Sequence, residues 1–245
     1  RRADNFVVLG YALVSNEGEL LPIEDPYSFN DVVSSALHRY YVRSHLPFRH
    51  VRFAERAPQI RSGELLTREA SYLEGMRLAA APMVPGSSDY WRVYGDGIVT
   101  NAESYIEDNI AFRIGLAPDF LLMRECLAKL HALLAHARLA GQEMLAVNQI
   151  VLRMDWRGLA GRNLCWTPES LVTGKKLAED RIVKTITLSW PDLRESYFSA
   201  LRRVAVTFFG IFDCPGYPDA AAWLTQELAH DELRQINERM NMFED

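Results

Sequence analysis

Residues 90 to 108, YWRVYGDGIVTNAESYIED, constrain the fold more than any other stretch, because they set a strand, a tight turn and a helix start side by side. Tyr90, Arg92 and Tyr94 alternate with Trp91 and Val93, the two-residue period of a strand whose faces differ. Gly95-Asp96-Gly97 supplies turn chemistry, and Ile98-Val99 resume an extended run. Thr100 followed three residues later by Glu103 has capping-box spacing and predicts a helix from Thr100 to about Arg113. Asp96 between two glycines reads as a turn residue rather than a catalyst.

The rest of the chain can be placed around this segment. FVVLGYALV, Phe6–Val14, is the first strand, and residues 15–19 form a hairpin-type connection into 20–23. Ser28 and Asp31 open a helix whose apolar stripe runs to about Ser44, where Pro47 ends it. Short extended pieces are expected at 50–53 and 59–61, a weakly amphipathic helix at 62–77, and a Pro/Gly-marked loop at 79–89. Asp119 is positioned to cap a long helix to about Ala140, stopped by Gly141. Strands follow at 147–154 and 182–188, separated by a glycine turn at 157–162. Pro191 opens a helix carrying the stripe Leu193, Tyr197, Leu201, Val204 and Phe208, and a last helix spans 219–240.

Composition narrows the function classes. At 49% hydrophobic and 24% charged residues, with no apolar run of about 18, the chain reads as a globular cytoplasmic protein that does not span a membrane. Cys126, Cys165 and Cys214 are odd in number and far apart, which suits buried thiols rather than disulfides or a metal site. The net charge is −5, yet six arginines between Arg39 and Gly63 face a single acid, Glu55, while residues 219–245 are acidic.

Several clusters have the residue types of a site. His131 and His136 are five apart on a helix, so they diverge, and a core role suits them better than metal binding. Gly174-Lys175-Lys176 lacks the upstream glycine of a phosphate-binding loop. Glu103, Glu107 and Asp108 are spaced to share a divalent ion, but acids in a first helical turn are favoured by the dipole in any case. The arginines from 39 to 61 interleave with Tyr40, Tyr41, Phe48 and Phe53, a composition that pairs phosphates and stacks bases, or else covers apolar surface with arginine stems. Arg153, Arg157 and Arg162 form a second basic cluster around the 157–162 turn.

Three passages carry a family resemblance. They are the glycine-bearing strand Phe6–Val14 with its charged hairpin, the strand and turn in YWRVYGDGIVTNAESY, and a leucine-rich helix before VNQIVLRMDWRGLAGRNL. Together they resemble the AlbA_2 domain of Schlafen-related bacterial proteins, over residues 5–110 and more loosely 119–165. In the Schlafen ribonucleases an acidic Glu-x-x-x-x-Glu-x-Lys motif supplies carboxylates for metal-assisted RNA cleavage, and its position would precede Arg1. Glu17 or Glu19 stands near the family's additional acid. The resemblance implies a nucleic-acid-binding module of an antiphage or regulatory protein, without carrying a nuclease onto these residues.

The expectation is thus an α+β protein: a mixed sheet with covering helices, then a helix-strand-strand-helix-helix half, divided into domains 1–117 and 118–245. Its function is nucleic-acid binding, to DNA or RNA, with phosphates contacted by Arg49, Arg52, Arg56, Arg92 and Arg157. No cofactor, metal or catalytic residue is assigned. One alternative is a metal-dependent nuclease completed by residues before Arg1. Another is an interaction subunit that binds a protein partner, or itself, through the acidic C-terminal helix and its Trp223, Leu224 and Leu228.

Overall fold

The computed structural model describes residues 5–25, 28–29, 32–33, 36, 59–61, 64–69, 89–105, 107–108, 119–167, 170–171 and 177–212. Their centre is β1 (Phe6–Val14), in which Val7, Leu9, Tyr11 and Leu13 alternate with smaller residues and are at most 2% exposed. This period-two burial commits one face of β1 to a core. Both edges of β1 are paired antiparallel, to β5 (Ile98–Ser104) on one side and to β7 (Gln149–Arg157) on the other.

Four further pairings extend the sheet. β4 (Asp89–Tyr94) follows β5, then β3 (Glu64–Glu69) and β2 (Gln59–Arg61), while β10 (Arg181–Ser189) lies outside β7. The order β10-β7-β1-β5-β4-β3-β2 is antiparallel throughout. A small second sheet pairs β6 (Phe120–Leu122) in parallel with β8 (Asn163–Thr167), and β8 with β9 (Ser170–Leu171). The protein is therefore α+β, as the strand and helix patterns led one to expect. The large sheet takes strands from both sides of residues 117 and 118, so a single ladder joins the two stretches read as separate domains.

Three helices cover one face of that sheet. α1 (Met123–Glu143) packs on β1, and α2 (Trp190–Glu195) and α3 (Tyr197–Phe209) pack on β10. Ser189 accepts a hydrogen bond from the Asp192 backbone N–H at 3.1 Å, and Pro191 occupies the first turn of α2, so this start follows directly from local sequence. The expected single helix breaks at Ser196, but its stripe stays aligned: Leu193, Tyr197, Leu201, Val204 and Phe208 are all buried. Phe208 stacks on Trp156 of β7 with ring centroids 4.1 Å apart, the tightest aromatic contact between helix and sheet.

Four expectations are corrected. The extended run at Ile98–Val99 continues through Ser104 as strand β5, so residues 100–104 are not a helix: pairing on both edges with β1 and β4 outweighs the capping-box pattern, and Val99 and Asn101 turn inward. Residues 64–69 are strand β3, held between β2 and β4. The long helix starts at Met123, since Phe120–Leu122 pair with β8 and Leu122 keeps extended backbone at φ −85° and ψ 120°. Gly141 does not end it, since α1 continues to Glu143; a Cβ there would fall inside the Trp190 ring, so the glycine serves close packing. Among the described residues no helix is long and apolar enough to cross a membrane.

Candidate nucleic-acid interface

The helices α1, α2 and α3 pack on one face of the seven-stranded sheet, and the opposite face is where arginine positions collect. Pleating sends alternate residues to opposite faces, and antiparallel partners share a face. Thr185 pairs with Arg153, Arg153 with Gly10, Gly10 with Thr100, and Thr100 with Arg92. These five positions form one row across β10, β7, β1, β5 and β4, on the face opposite the helices. Arg153, Thr185 and Thr187 are exposed and Val183 is 40% exposed, so this end of the face is open to solvent. Arg153 has no acidic partner among the described residues.

Register gives the face opposite α1, α2 and α3 six arginine positions, Arg61, Arg68, Arg92, Arg153, Arg157 and Arg181, against two acidic ones, Glu64 and Asp155. The helix-side positions of the same strands carry Glu69, Asp89 and Glu103 against Lys184. The basic character thus belongs to one face and not to the sheet as a whole.

Arg157 is bound within the protein. Its Nε and a terminal nitrogen donate to the two Asp155 oxygens at 3.3 and 2.8 Å, and its guanidinium sits 4.9 Å from the centroid of the Phe6 ring. Arg181, across the strand pair, donates to the same carboxylate at 2.8 and 2.7 Å. Hydrogen bonds from Arg181 and then Arg157 hold the Asp155 carboxyl well below the usual carboxylate range. Two guanidinium groups share one carboxylate, so the trio keeps one positive charge and a fixed geometry.

Of the other predicted contacts, Arg92 occupies a register position in the Arg153 row, on the face opposite α1, α2 and α3. Arg49, Arg52 and Arg56 lie outside the described residues, as do Cys214, the 174–176 segment and the last helix. The second basic cluster does not form: Arg162 is 1% exposed and turns inward. It donates to the Gly158 and Phe120 carbonyls at 2.7 and 3.2 Å, pairs with Asp108 at 2.6 Å, and lies 4.6 Å from the Tyr105 centroid. It ties the β7–β8 turn to the start of β6.

The acidic trio is also dispersed. Glu103 lies in β5, while Glu107 is fully buried, its Oε1 accepting the Leu122 N–H at 2.9 Å and its Oε2 lacking a hydrogen-bond partner. Burial raises its pKa to about 7, against the lowering effect of the Leu122 N–H and the Arg162 charge. Among the described residues no group of three or more His, Cys, Asp or Glu side chains could hold a metal ion. His131 and His136 are core residues: their Nδ1 atoms lie 2.6 Å from the Tyr197 hydroxyl and 2.8 Å from the Tyr11 hydroxyl. Cys126 and Cys165 are buried.

Sequence reasoning missed Arg181 and the Arg153–Arg92 row. The alternation of RIVKTITLS showed which residues share a face, but only the register shows what lies beside them. Comparison with protein-family models, curated proteins and solved structures finds no match to this chain.

Proposed function

We propose that this protein binds nucleic acid on the sheet face opposite α1, α2 and α3, with Arg153 and Arg92 contacting phosphates and the Arg157–Asp155–Arg181 trio contributing one net positive charge beside them. The observation that carries this reading is the charge asymmetry between the two faces of one sheet in a protein whose net charge is −5. A positive face on an acidic chain directs a polyanion to one place. Arg153 is the strongest single contributor, being exposed at the open end of the face. Arg157 contributes orientation more than free charge, because its donors are engaged by Asp155.

Binding of this kind releases condensed counterions, so log K falls linearly with log salt by about 0.7 to 0.9 for each phosphate neutralised. Two to four contacts predict a slope of about −1.4 to −3.6 in an anisotropy titration between 50 and 200 mM salt. Arg153→Glu weakens binding and flattens that slope. Absence of binding at 50 mM salt, or an affinity indifferent to salt, would refute the assignment.

A further inference from the structure

The seven-stranded sheet ends at β10, a nine-residue strand that among the described residues pairs along one edge alone, with β7. One hydrogen bond sets the phase of its outer edge. The Trp190 N–H donates to the Asn148 carbonyl at 2.7 Å, in register with the Ser189–Gln149 pair, and bonded pairs alternate with unbonded ones along an antiparallel ladder. Ile182, Lys184, Ile186 and Leu188 therefore turn their backbone groups to β7, while Arg181, Val183, Thr185, Thr187 and Ser189 turn theirs outward. The next ladder has the matching phase, since the Leu13 N–H donates to the Gly97 carbonyl, away from β7.

Among the described residues nothing answers the outward groups: Val183, Thr185 and Thr187 make no hydrogen bond on that side. Their side chains are exposed, Val183 by 40%. On the helix side Lys184 is exposed as well, between the buried Ile182 and Ile186, so α2 and α3 leave the middle of the strand open at its rim. A long edge rich in β-branched residues, with free donors and acceptors, is a template for another strand.

The residues of β10 select a second copy of the same strand. Outward groups sit on odd-numbered residues, so an antiparallel copy pairs odd with odd, and a twofold axis passes through one residue of the strand. Placed on Thr185, the axis pairs all nine residues: Thr185 with its own copy, Val183 with Thr187, Arg181 with Ser189, and, on the helix side, Ile182 with Leu188 and Lys184 with Ile186. These are β-branched and apolar pairs of the kind that stabilise sheets, and no charge stands opposite its like. An axis on Lys184 sets two ammonium groups opposite each other, and one on Ile186 leaves Arg181 and Ile182 unpaired. We propose that β10 is the contact of a twofold dimer, joined edge to edge about Thr185 into one continuous sheet. The assembly closes at two chains, because each copy covers the other's β10 edge. This contact stands whether or not the protein binds nucleic acid.

The test is sedimentation velocity of the full chain from about 5 to about 200 µM, over which the mass should rise from that of one chain to that of two. Thr185→Pro removes one outward N–H, leaves the bonds to β7 in place, and should weaken the dimer about tenfold or more. Thr185→Lys and Thr185→Glu each set like charges face to face, so either variant alone should stay monomeric, whereas an equimolar mixture of the two should recover the dimer. Circular dichroism melts of each variant confirm that the fold is kept. A wild type that remains monomeric overturns the proposal and leaves the edge to an extended segment of another protein. A dimer indifferent to Thr185→Pro and Thr185→Lys places the contact elsewhere and overturns it as well. A mixture that stays monomeric overturns the pairing about Thr185.

Discussion

Replacing Glu107 by glutamine should make the protein more stable, by an amount that depends on pH in a defined way. The Glu107 carboxyl is fully buried, accepts one hydrogen bond from the Leu122 N–H, and has a second oxygen with no partner. Its folded-state pKa is raised to about 7 from an ordinary value of 4.5. Below pH 4.5 both folded and unfolded chains hold the proton, and the residue is neutral in both. Between pH 4.5 and 7 the unfolded chain releases the proton while the folded chain retains it, so stability falls as pH rises. Above pH 7 the full cost is present. A difference of about 2.5 units at 1.36 kcal/mol each gives about 3 kcal/mol.

Glutamine is the closest neutral mimic of the protonated acid: it keeps the oxygen for Leu122 and places an amide where the second oxygen stood. Urea unfolding of the wild type and Glu107→Gln at pH 4.5, 6 and 7.5 should therefore give stabilities that coincide at the lowest pH and diverge to about 3 kcal/mol in favour of the variant at the highest. Taking the difference between the two proteins cancels every other titrating group. A gap that stays constant with pH, or a variant less stable than the wild type at pH 7.5, would show that Glu107 is not held neutral by burial.

Two further outcomes follow from buried polar groups. Burial lowers His131 to about 4 and His136 to about 3. Both stay neutral in the folded protein while the unfolded chain takes up protons below pH 6.5, so stability falls as pH drops; in the Glu107→Gln background it should fall by about 2.7 kcal/mol per pH unit between 6 and 4.5, and a slope near zero in urea unfolding would contradict the burial of these rings. Arg162→Met should cost about 3 to 5 kcal/mol, because it strands the Asp108 carboxylate and frees the Gly158 and Phe120 carbonyls; a loss under 1 kcal/mol in thermal or urea unfolding would show that the ion pair is dispensable.

What could be read from the sequence tracks how locally each feature is determined. β1, β7, β10 and the α2–α3 stripe were legible because each buries a continuous run of its own period, and Trp156, Phe208 and their neighbours are apolar wherever they pack. β5 and β3 were misread because TNAES and ELLTRE carry helix-compatible residues whose state is decided by strands distant in the chain. Glu107 illustrates the same limit for a site. Its spacing from Glu103 suggested a first helical turn, whereas its chemistry comes from the start of β6 and α1, more than a dozen residues later.

The arginines extend this argument from fold to function. Their number in the sequence pointed to a polyanion, but their value to one depends on partners that only register reveals. Arg157 and Arg162 looked equivalent around one glycine turn, yet one is half-exposed and holds the buried Asp155 carboxylate while the other is sealed against Tyr105 and Asp108. Arg153, four residues before Arg157 and therefore on the same pleat, meets no acid among the described residues and looks across Gly10 toward the Arg92 row position. A guanidinium engaged by a bidentate carboxylate must break those bonds before it can serve a phosphate, while one in open solvent need not. If the face binds a polyanion as proposed, the exposed Arg153 carries more of the contact than the engaged Arg157, so neutralising Arg153 should weaken binding more than neutralising Arg157.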